Sequence, residues 1–333
     1  MKISVSICAY NAEQTISRTI ESVLGQTYPN YEIVVINDGS TDGTLEILEK
    51  YQTDNPERIK IKTIPNGGLA NARNHGLALC CGDLYINLDA DDYLEKDTFE
   101  KAVDVLSQDP EIDVCFYGYK SFDENGKFFD YYSETKHYLE HPATGLEAFE
   151  MRLRRYIWIC QGNAIYRLSL IRDHGICNHP GKNQGEDMYF ISRCLLAARK
   201  VGCFQGDNFC CMARNDSMNR SKFNPSFFQT LELLERLEED VRRDYPEKLD
   251  DIIPYISAER ITQTLAIIKR MARFYSLKEF LLAAEPLKEN LERIDSNRME
   301  NMLGRMKTME HSICLRSLTA YYFLARVYDF LRK

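Results

Sequence analysis

The chain has 333 residues, of which 44% are hydrophobic and 28% are charged, a composition typical of a soluble globular protein. The net charge of −8 argues against non-specific nucleic-acid binding, which requires a basic surface. No apolar segment approaches the ~20 residues of a membrane span. The eleven cysteines include no C-x-x-C pair, and residues 1–8 predict a strand without a signal-peptide pattern. We therefore expect a reduced, cytoplasmic protein.

Strand and helix patterns alternate through the first 95 residues. The apolar periodicity predicts strands at 3–8, 32–36, 59–64 and 85–88, and helices at 16–24, around Leu45 and Leu48, and at 69–79. Short connections between such elements are typical of a three-layer α/β fold. We predict a mainly parallel sheet with right-handed crossovers.

The next stretch is less regular and ends in a helical region. We expect helices at 97–106 and 144–153, a hairpin or loop at 120–142, a helix that begins at Glu186, and strands at 113–119, 163–167, 200–204 and 208–213. From about residue 226 the pattern becomes long helices with few glycines. The predicted domains are residues 1–222, with halves 1–95 and 96–222, and a helical region at 223–333.

Three carboxylates follow the fourth predicted strand, at Asp89, Asp91 and Asp92. Ligands of open α/β sheets bind beyond the carboxyl ends of the strands. Like charges this close repel unless solvent or a cation compensates them, and oxygen ligands favour Mg²⁺ or Mn²⁺. The alternative is a solvated acidic turn.

The first and second strands end at the same edge, in Ala9-Tyr10-Asn11 and Asp38-Gly39-Ser40. A tyrosine ring can stack on a nucleobase, and Asp38 can accept a hydrogen bond from a base N–H. Taken singly, Tyr10 would more often be a core or rim residue and Asp38 part of a turn. Their convergence at one edge favours a nucleotide site.

The segment from Asn66 to Gly76 is rich in small residues and opens a predicted helix. Small residues permit close backbone approach, and a helix N-terminus favours an anion. Arg73, one turn into the helix, can offer a planar fork of donors to a phosphate or a base carbonyl. A tightly packed helix with a surface arginine is the alternative.

A second acidic pair, Glu186-Asp187, lies at a predicted helix start. Acidic residues are common there for capping reasons, but a transferase that acts on a hydroxyl also needs a general base. Downstream, Arg214 and Ser217 could close over a diphosphate.

These segments, in this order, closely resemble the family-2 inverting glycosyltransferases of the GT-A fold, of the type that builds bacterial polysaccharides. The resemblance rests on residues 5–11, 22–28, 32–42, 68–74 and 89–92. It is strong over residues 3–95 and weaker to about 217, whereas residues 226–333 match nothing that we recognise. Asn37 and Asn215 depart from the family pattern, at positions where many members have Asp and some have a metal-binding His.

The resemblance implies a nucleotide-diphosphate sugar donor, most often a UDP-sugar, with Mn²⁺ or Mg²⁺ as cofactor. By similarity, Asp91 would bind the metal together with Asp89, and Asp187 of the acidic pair would be the base. The donor nucleotide would contact Ala9, Tyr10, Asp38, Asn66, Arg73, Asp89, Arg214 and Ser217.

The implied activity is transfer of a sugar, with inversion, to a hydroxyl of a glycan or lipid-linked acceptor. A catalytically silent sugar-nucleotide-binding or scaffold protein is the alternative, and a nucleotidyltransferase is a third hypothesis. Residues 311–333 hold four Lys or Arg and one acidic residue. Their apolar stripe predicts packing on the protein, on a second subunit, or peripherally on the inner face of the membrane.

Overall fold

The computed structural model describes residues 1–123, 126–213, 223–291 and 296–331. The chain divides into two compact units, Met1–Met218 and Asn219–Lys333. The first unit contains the predicted strand–helix alternation. Its elements through the acidic turn are β1 (Ile3–Ala9), α1 (Ile16–Leu24), β2 (Tyr31–Asn37), α2 (Thr44–Asp54), β3 (Ile59–Thr63), α3 (Leu69–Leu79) and β4 (Leu84–Asp89).

The rest of this unit adds eight strands and five helices. They are β5 (Tyr93–Leu94), α4 (Thr98–Gln108), β6 (Ile112–Phe116), β7 (Tyr119–Asp123), β8 (Phe128–Tyr131), α5 (Tyr132–Thr135), β9 (Ala143–Thr144), α6 (Gly145–Leu153), β10 (Ala164–Arg167), α7 (Leu168–Asp173), α8 (Glu186–Ala197), β11 (Lys200–Cys203) and β12 (Phe209–Ala213).

An eight-stranded sheet forms the centre of the unit, in the order β3-β2-β1-β4-β10-β6-β11-β9. The first four strands are parallel neighbours. Strand β10 lies between β4 and β6 and is antiparallel to both. The predicted mainly parallel α/β sheet is therefore confirmed, with two antiparallel strands, β10 and the edge strand β9, that the sequence pattern did not indicate.

Both faces of the central strands are buried. On β1, the side chains of Ile3, Val5 and Ile7 face one layer, while the small polar Ser4 and Ser6 face the other, and all are fully buried. Burial on both faces is the expected state of a parallel strand covered by helices. Helix α3 approaches β1 closely because Gly76 has no side chain; an added Cβ would overlap Ser6 Oγ.

A second sheet has the order β5-β12-β7-β8. Strands β7 and β8 form an antiparallel hairpin within the stretch that we expected to be a hairpin or loop. Strand β12 pairs with β7 in parallel and with β5, which directly follows the acidic turn. Through β5, the second sheet therefore holds Tyr93 and Leu94, the residues directly after Asp92.

The second unit is helical in its described residues: α9 (Gln229–Asp244), α10 (Leu249–Phe274), α11 (Leu277–Ala284), α12 (Lys288–Leu291), α13 (Ser296–Arg316) and α14 (Leu318–Leu331). Leu318, Tyr321, Tyr322 and Ala325 form the buried face of α14, whereas Leu324, from the stripe that we expected to pack, is 43% exposed. Ser317 separates α13 from α14, and contact of this stripe with the protein, a second subunit or the membrane stays a prediction. Among the described residues, no helix is long and apolar enough to cross a membrane.

Candidate active site

The carboxyl ends of β1, β2 and β4 meet at one edge of the large sheet. In the strand registers, Ala9 lies opposite Asn37, and Cys8 lies between Ile36 and Asp89. The polar segments that follow these strands therefore start side by side. We call this edge the carboxyl edge; it brings together Tyr10, Asp38 and the acidic turn at residues 89–92.

Asp38 holds the backbone of the neighbouring loop. Its Oδ1 accepts a hydrogen bond from the Gly67 N–H at 2.8 Å, and its Oδ2 accepts one from the Gly68 N–H at 3.0 Å. The carboxylate is 4% exposed. This anchoring role was not evident in the sequence, and the contact between Asp38 and a nucleobase stays a prediction.

The residues predicted to contact the nucleotide at this edge differ in exposure. Tyr10 is 53% exposed, and Asn66 is also exposed, whereas Ala9 is buried. Gly39 has a φ of +70°, and a Cβ there would lie 2.8 Å from the backbone nitrogen of Asn66. The loops that follow β2 and β3 therefore approach each other closely at a position that only glycine permits.

Side chains of α1 bind the backbone of the acidic turn. Thr19 Oγ1 donates to the carbonyl oxygens of Ala90 and Asp92, and Arg18 donates to the carbonyl oxygen of Asp91. The Asp92 carboxylate accepts a hydrogen bond from the Met212 N–H of β12 at 3.0 Å. Burial, followed by the neighbouring carboxylates of the turn, raises the pKa of Asp92 well above its ordinary value. The turn is thus held in place by α1 and β12.

Arg73 lies between two acidic segments that are distant in sequence. Its Nη2 donates to Asp89 at 2.9 and 3.2 Å, and its Nη1 donates to Glu186 at 3.0 Å. The arginine is 4% exposed. Burial alone would lower its pKa, but the two carboxylates outweigh that effect and hold the pKa above its ordinary value. We expected Arg73 to contact the nucleotide; the structure shows a buried guanidinium shared by two carboxylates, and a nucleotide contact stays a prediction.

The two acidic residues at the start of α8 have different surroundings. Glu186 is 6% exposed, and burial together with Asp187 raises its pKa to about 7, against the opposing effect of Arg73. Asp187 is half-buried, and its Oδ1 accepts a hydrogen bond from the Met188 N–H at 2.7 Å. Of the two residues, Asp187 is the more exposed.

The loop before α8 is tied to α3 by asparagines. The Asn74 side chain accepts a hydrogen bond from the Asn178 N–H and donates one to the Asn178 carbonyl oxygen, each at 2.8 Å. Gln161 donates to the side chain of Asn178 at 2.9 Å. Asn178 and Gln161 were not among the predicted site residues, because no local pattern marks a loop asparagine whose partner lies about a hundred residues earlier.

The donor set at the carboxyl edge consists of carboxylate oxygens. Across the described parts of the chain, no group of three or more His, Cys, Asp or Glu side chains is arranged to hold a metal ion. Mg²⁺ commonly uses one or two protein carboxylates plus phosphate oxygens, so an oxygen-rich turn fits the ion without a complete protein cage. Three predicted positions, Arg214, Asn215 and Ser217, lie outside the described residues.

With this geometry established, the chain can be compared with known proteins. Residues 4–175, just over half of the chain, match the profile described as Glycosyl transferase family 2. The chain belongs to glycosyl transferase family 2. This confirms the resemblance on which the sequence interpretation rests. EpsH of Bacillus subtilis (strain 168), a curated relative, is 32% identical over 209 residues, which are 60% of this chain and 57% of EpsH.

Solved structures of this glycosyltransferase fold extend the similarity to the whole chain. TarS residues 1–349 of S. aureus, solved in complex with UDP-GlcNAc, superpose with a TM-score of 0.74 at 21% identity, over 99% of this chain and 92% of that one. A mannosyltransferase from Pyrobaculum calidifontis, solved with GDP-Man and Mn²⁺, has a TM-score of 0.54 at 15% identity, over 95% and 87%. At these identities the likeness establishes the fold, and it confirms the predicted GT-A architecture followed by helices.

Proposed function

We propose that this chain is an inverting glycosyltransferase that moves a sugar from a nucleotide-diphosphate donor to a hydroxyl of a glycan or lipid-linked acceptor. The single observation that supports it best is the Arg73 bridge. One guanidinium contacts both Asp89 of the acidic turn and Glu186 of α8. The donor-binding turn and the acidic pair that includes the base are therefore a few ångströms apart, as a direct displacement requires.

The donor nucleotide would lie over the carboxyl edge. An exposed ring at Tyr10 offers a face for base stacking, which is typically worth ~1–3 kcal/mol per base. Asn66 offers an exposed amide in the adjoining loop, and Ala9 closes the floor of the site. Because TarS binds UDP-GlcNAc in a fold of this kind, a UDP-sugar is the donor that we propose to test first.

Asp91, with Asp89, would hold a divalent cation. The family resemblance gives Asp91 as the principal ligand, with Asp89, which also pairs with Arg73, as the second. Carboxylates this close repel one another, and a bound cation would relieve that repulsion. Bound Mn²⁺ or Mg²⁺ would supply electrostatic stabilisation of the departing diphosphate.

Asp187 would be the general base. It takes the proton of the acceptor hydroxyl, whose oxygen forms a bond to the anomeric carbon as the bond to the diphosphate breaks and the diphosphate leaves with the electron pair. Single displacement converts an α-linked donor into a β-linked product. Glu186 is a poorer candidate because its carboxylate is buried against Arg73.

Further parts of this proposal concern the whole protein. We propose residues 1–222 as the transferase domain, with a nucleotide half at 1–95 and an acceptor half at 96–222, and residues 223–333 as a helical appendage. The basic segment at 311–333 is the proposed point of contact with the inner face of the membrane or with a second subunit, in a cytoplasmic protein.

A thermal-shift panel tests donor binding directly. UDP-, GDP-, CMP- and dTDP-sugars are added to the protein with Mn²⁺ or with EDTA. A ligand that binds the native state raises its apparent stability by mass action. We expect a Mn²⁺-dependent shift with a UDP-sugar. Absence of any shift would favour the catalytically silent scaffold.

A further inference from the structure

Glu186 is placed for a task other than proton transfer. Its side chain is 7% exposed, and its Oε1 accepts from Arg73 Nη1 at 3.0 Å. The same guanidinium also binds Asp89, which ends β4. A buried arginine that contacts two carboxylates has a fixed orientation, because its planar fork leaves little rotational freedom.

The Arg73 bridge is one of several contacts that join α3 to the segment leading into α8. The Asn74 amide makes two hydrogen bonds to the backbone of Asn178. Gly68, at the start of α3, lies so close to the Asn183 side chain that an added Cβ would be 2.8 Å from its Oδ1. Helix α3 therefore fixes the polypeptide before α8 at two places and α8 itself at a third.

The position of Asp187 depends on this arrangement. Gly185 precedes α8 in a left-handed conformation with φ +80°, so the helix begins with an abrupt change of direction. Glu186 and Asp187 are the first two residues of the helix. Consecutive residues on a helix diverge by ~100°, so fixing Glu186 inward against Arg73 turns Asp187 towards the accessible side.

We propose that Glu186 is a positioning residue of the transfer reaction: through Arg73 it fixes the start of α8 against the end of β4, so that the Asp187 carboxylate is aimed at the acceptor hydroxyl. This inference rests on the proposed function. Glu186 acts through the oxygen that accepts from Arg73, and its ability to take up a proton has no part in the reaction.

Two conservative substitutions separate positioning from base catalysis. Glu186→Gln keeps the length of the side chain and an oxygen that accepts from Arg73, but it cannot act as a base. Glu186→Asp keeps the carboxylate but shortens the side chain by one methylene, so it cannot reach Arg73 in the same geometry. If Glu186 is a positioning residue, Glu186→Gln is the more active variant. If Glu186 is the general base, Glu186→Asp is the more active one.

Initial rates at saturating donor and acceptor give kcat for each variant. Glu186→Gln should retain kcat within about fivefold of the wild type, since a neutral acceptor replaces a charged one. Glu186→Asp should lose roughly 100-fold in kcat, the cost of displacing a catalytic group by about 1 Å. The dissociation constant of UDP, measured by titration calorimetry, should stay within about threefold in both, since a positioning role changes kcat rather than donor binding.

Asp187 provides the matched control. Asp187→Asn is the same carboxylate-to-amide change one residue later, and it should lower kcat by roughly a thousandfold because no base remains. If Glu186→Gln is as inactive as Asp187→Asn, or less active than Glu186→Asp, the positioning role is wrong. Loss of UDP binding in either Glu186 variant would show a general structural defect and would also contradict it.

Failure of the proposed function gives a different result. A wild-type protein that neither transfers nor hydrolyses any nucleotide sugar would refute the transferase assignment before any variant is compared. In contrast, an active wild type with the reversed order of the Glu186 variants would refute only the positioning role.

Discussion

The two edges of the parallel sheet both bury a carboxylate, but they balance its charge in opposite ways. At the amino edge, where β1 to β4 begin, Glu32 accepts from Lys2 Nζ at 2.8 Å and from Lys60 Nζ at 3.1 Å, and also from Ser4 Oγ and the Cys81 N–H. Burial alone would raise the pKa of Glu32, but these hydrogen bonds hold it well below its ordinary value.

In the described part of the carboxyl edge, one buried arginine serves two carboxylates. Arg73 is shared by Asp89 and Glu186, with further acidic residues on either side. The pKa of Glu186 rises to about 7. A structural ion pair is compensated within the protein, whereas a ligand site leaves charge for a ligand to compensate. The difference between the edges supports the carboxyl edge as the proposed site of a metal ion.

The largest expected effect separates the two edges by activity. Asp91→Asn should lower kcat for transfer by roughly a thousandfold, because the departing diphosphate loses its principal electrostatic support. Glu32→Gln is the matched amide substitution at the amino edge and should leave kcat unchanged. Initial rates at saturating donor and acceptor test both; equal losses would mean that the edges do not differ in function.

The second effect compares the two sets of cations by stability. Arg73→Met removes the buried partner of Glu186 and should lower the free energy of unfolding by about 3–5 kcal/mol. Lys60→Met should cost less than about 1 kcal/mol, because Lys60 is 57% exposed and Lys2 still pairs with Glu32.

Fluorescence of Trp158, the only tryptophan, follows urea unfolding of the unit that contains both edges. If the two methionine variants lose similar amounts of stability, the charge-balance comparison is wrong.

The third effect concerns pH. A carboxyl whose pKa is raised in the folded state stabilises below its unfolded pKa, and this contribution disappears as pH rises through the folded value. For Glu186 the window runs from 4.5 to about 7, so relative to Glu186→Gln the wild type should lose up to about 3 kcal/mol across it.

Glu32 has the opposite sign. Its pKa is lowered in the folded state, so its stabilising contribution is present above 4.5 and decreases as pH falls below that value. Urea unfolding followed through Trp158 at several pH values gives both slopes. If Glu186→Gln and Glu32→Gln change the pH dependence of the free energy of unfolding in the same direction, the two edges do not balance charge in opposite ways.

The smallest effect tests the loop contact at the carboxyl edge. Gly39→Ala would push a Cβ against the backbone of Asn66, and displacement of that loop should weaken UDP binding about tenfold, or ~1.4 kcal/mol. Gly126 has a similar positive φ of 75° but open space around it, so Gly126→Ala is the matched control and should bind UDP normally. Calorimetric titration measures both.

The sequence predicted local structure well and long-range contacts poorly. The helix predicted at 69–79 is observed at those residues, and the four parallel strands lie within two residues of their expected ends. Hydrophobic period and turn residues determine such elements locally. The hairpin at 120–142 was foreseen only as one of two choices, because its aromatic residues show no clean alternation.

The site was predictable as a set of residues but not as a set of contacts. Convergence of Tyr10, Asp38 and Asp89 follows from parallel topology alone. The Arg73–Glu186 pair joins residues 113 positions apart, and no periodicity indicates it. Asp38 was expected to face a ligand because it follows a strand, and Arg73 because it lies one turn into a helix. Both instead contact other parts of the protein, through Gly67 for Asp38 and Glu186 for Arg73.

The most direct test of the account is release of nucleoside diphosphate from UDP-sugars, with and without glycan acceptors, in wild type and in the Asp91→Asn variant. We predict Mn²⁺-dependent release by the wild type that an acceptor accelerates and that the variant lacks. Equal release by the two proteins, or none by the wild type from any nucleotide sugar, would contradict a transferase site at the carboxyl edge.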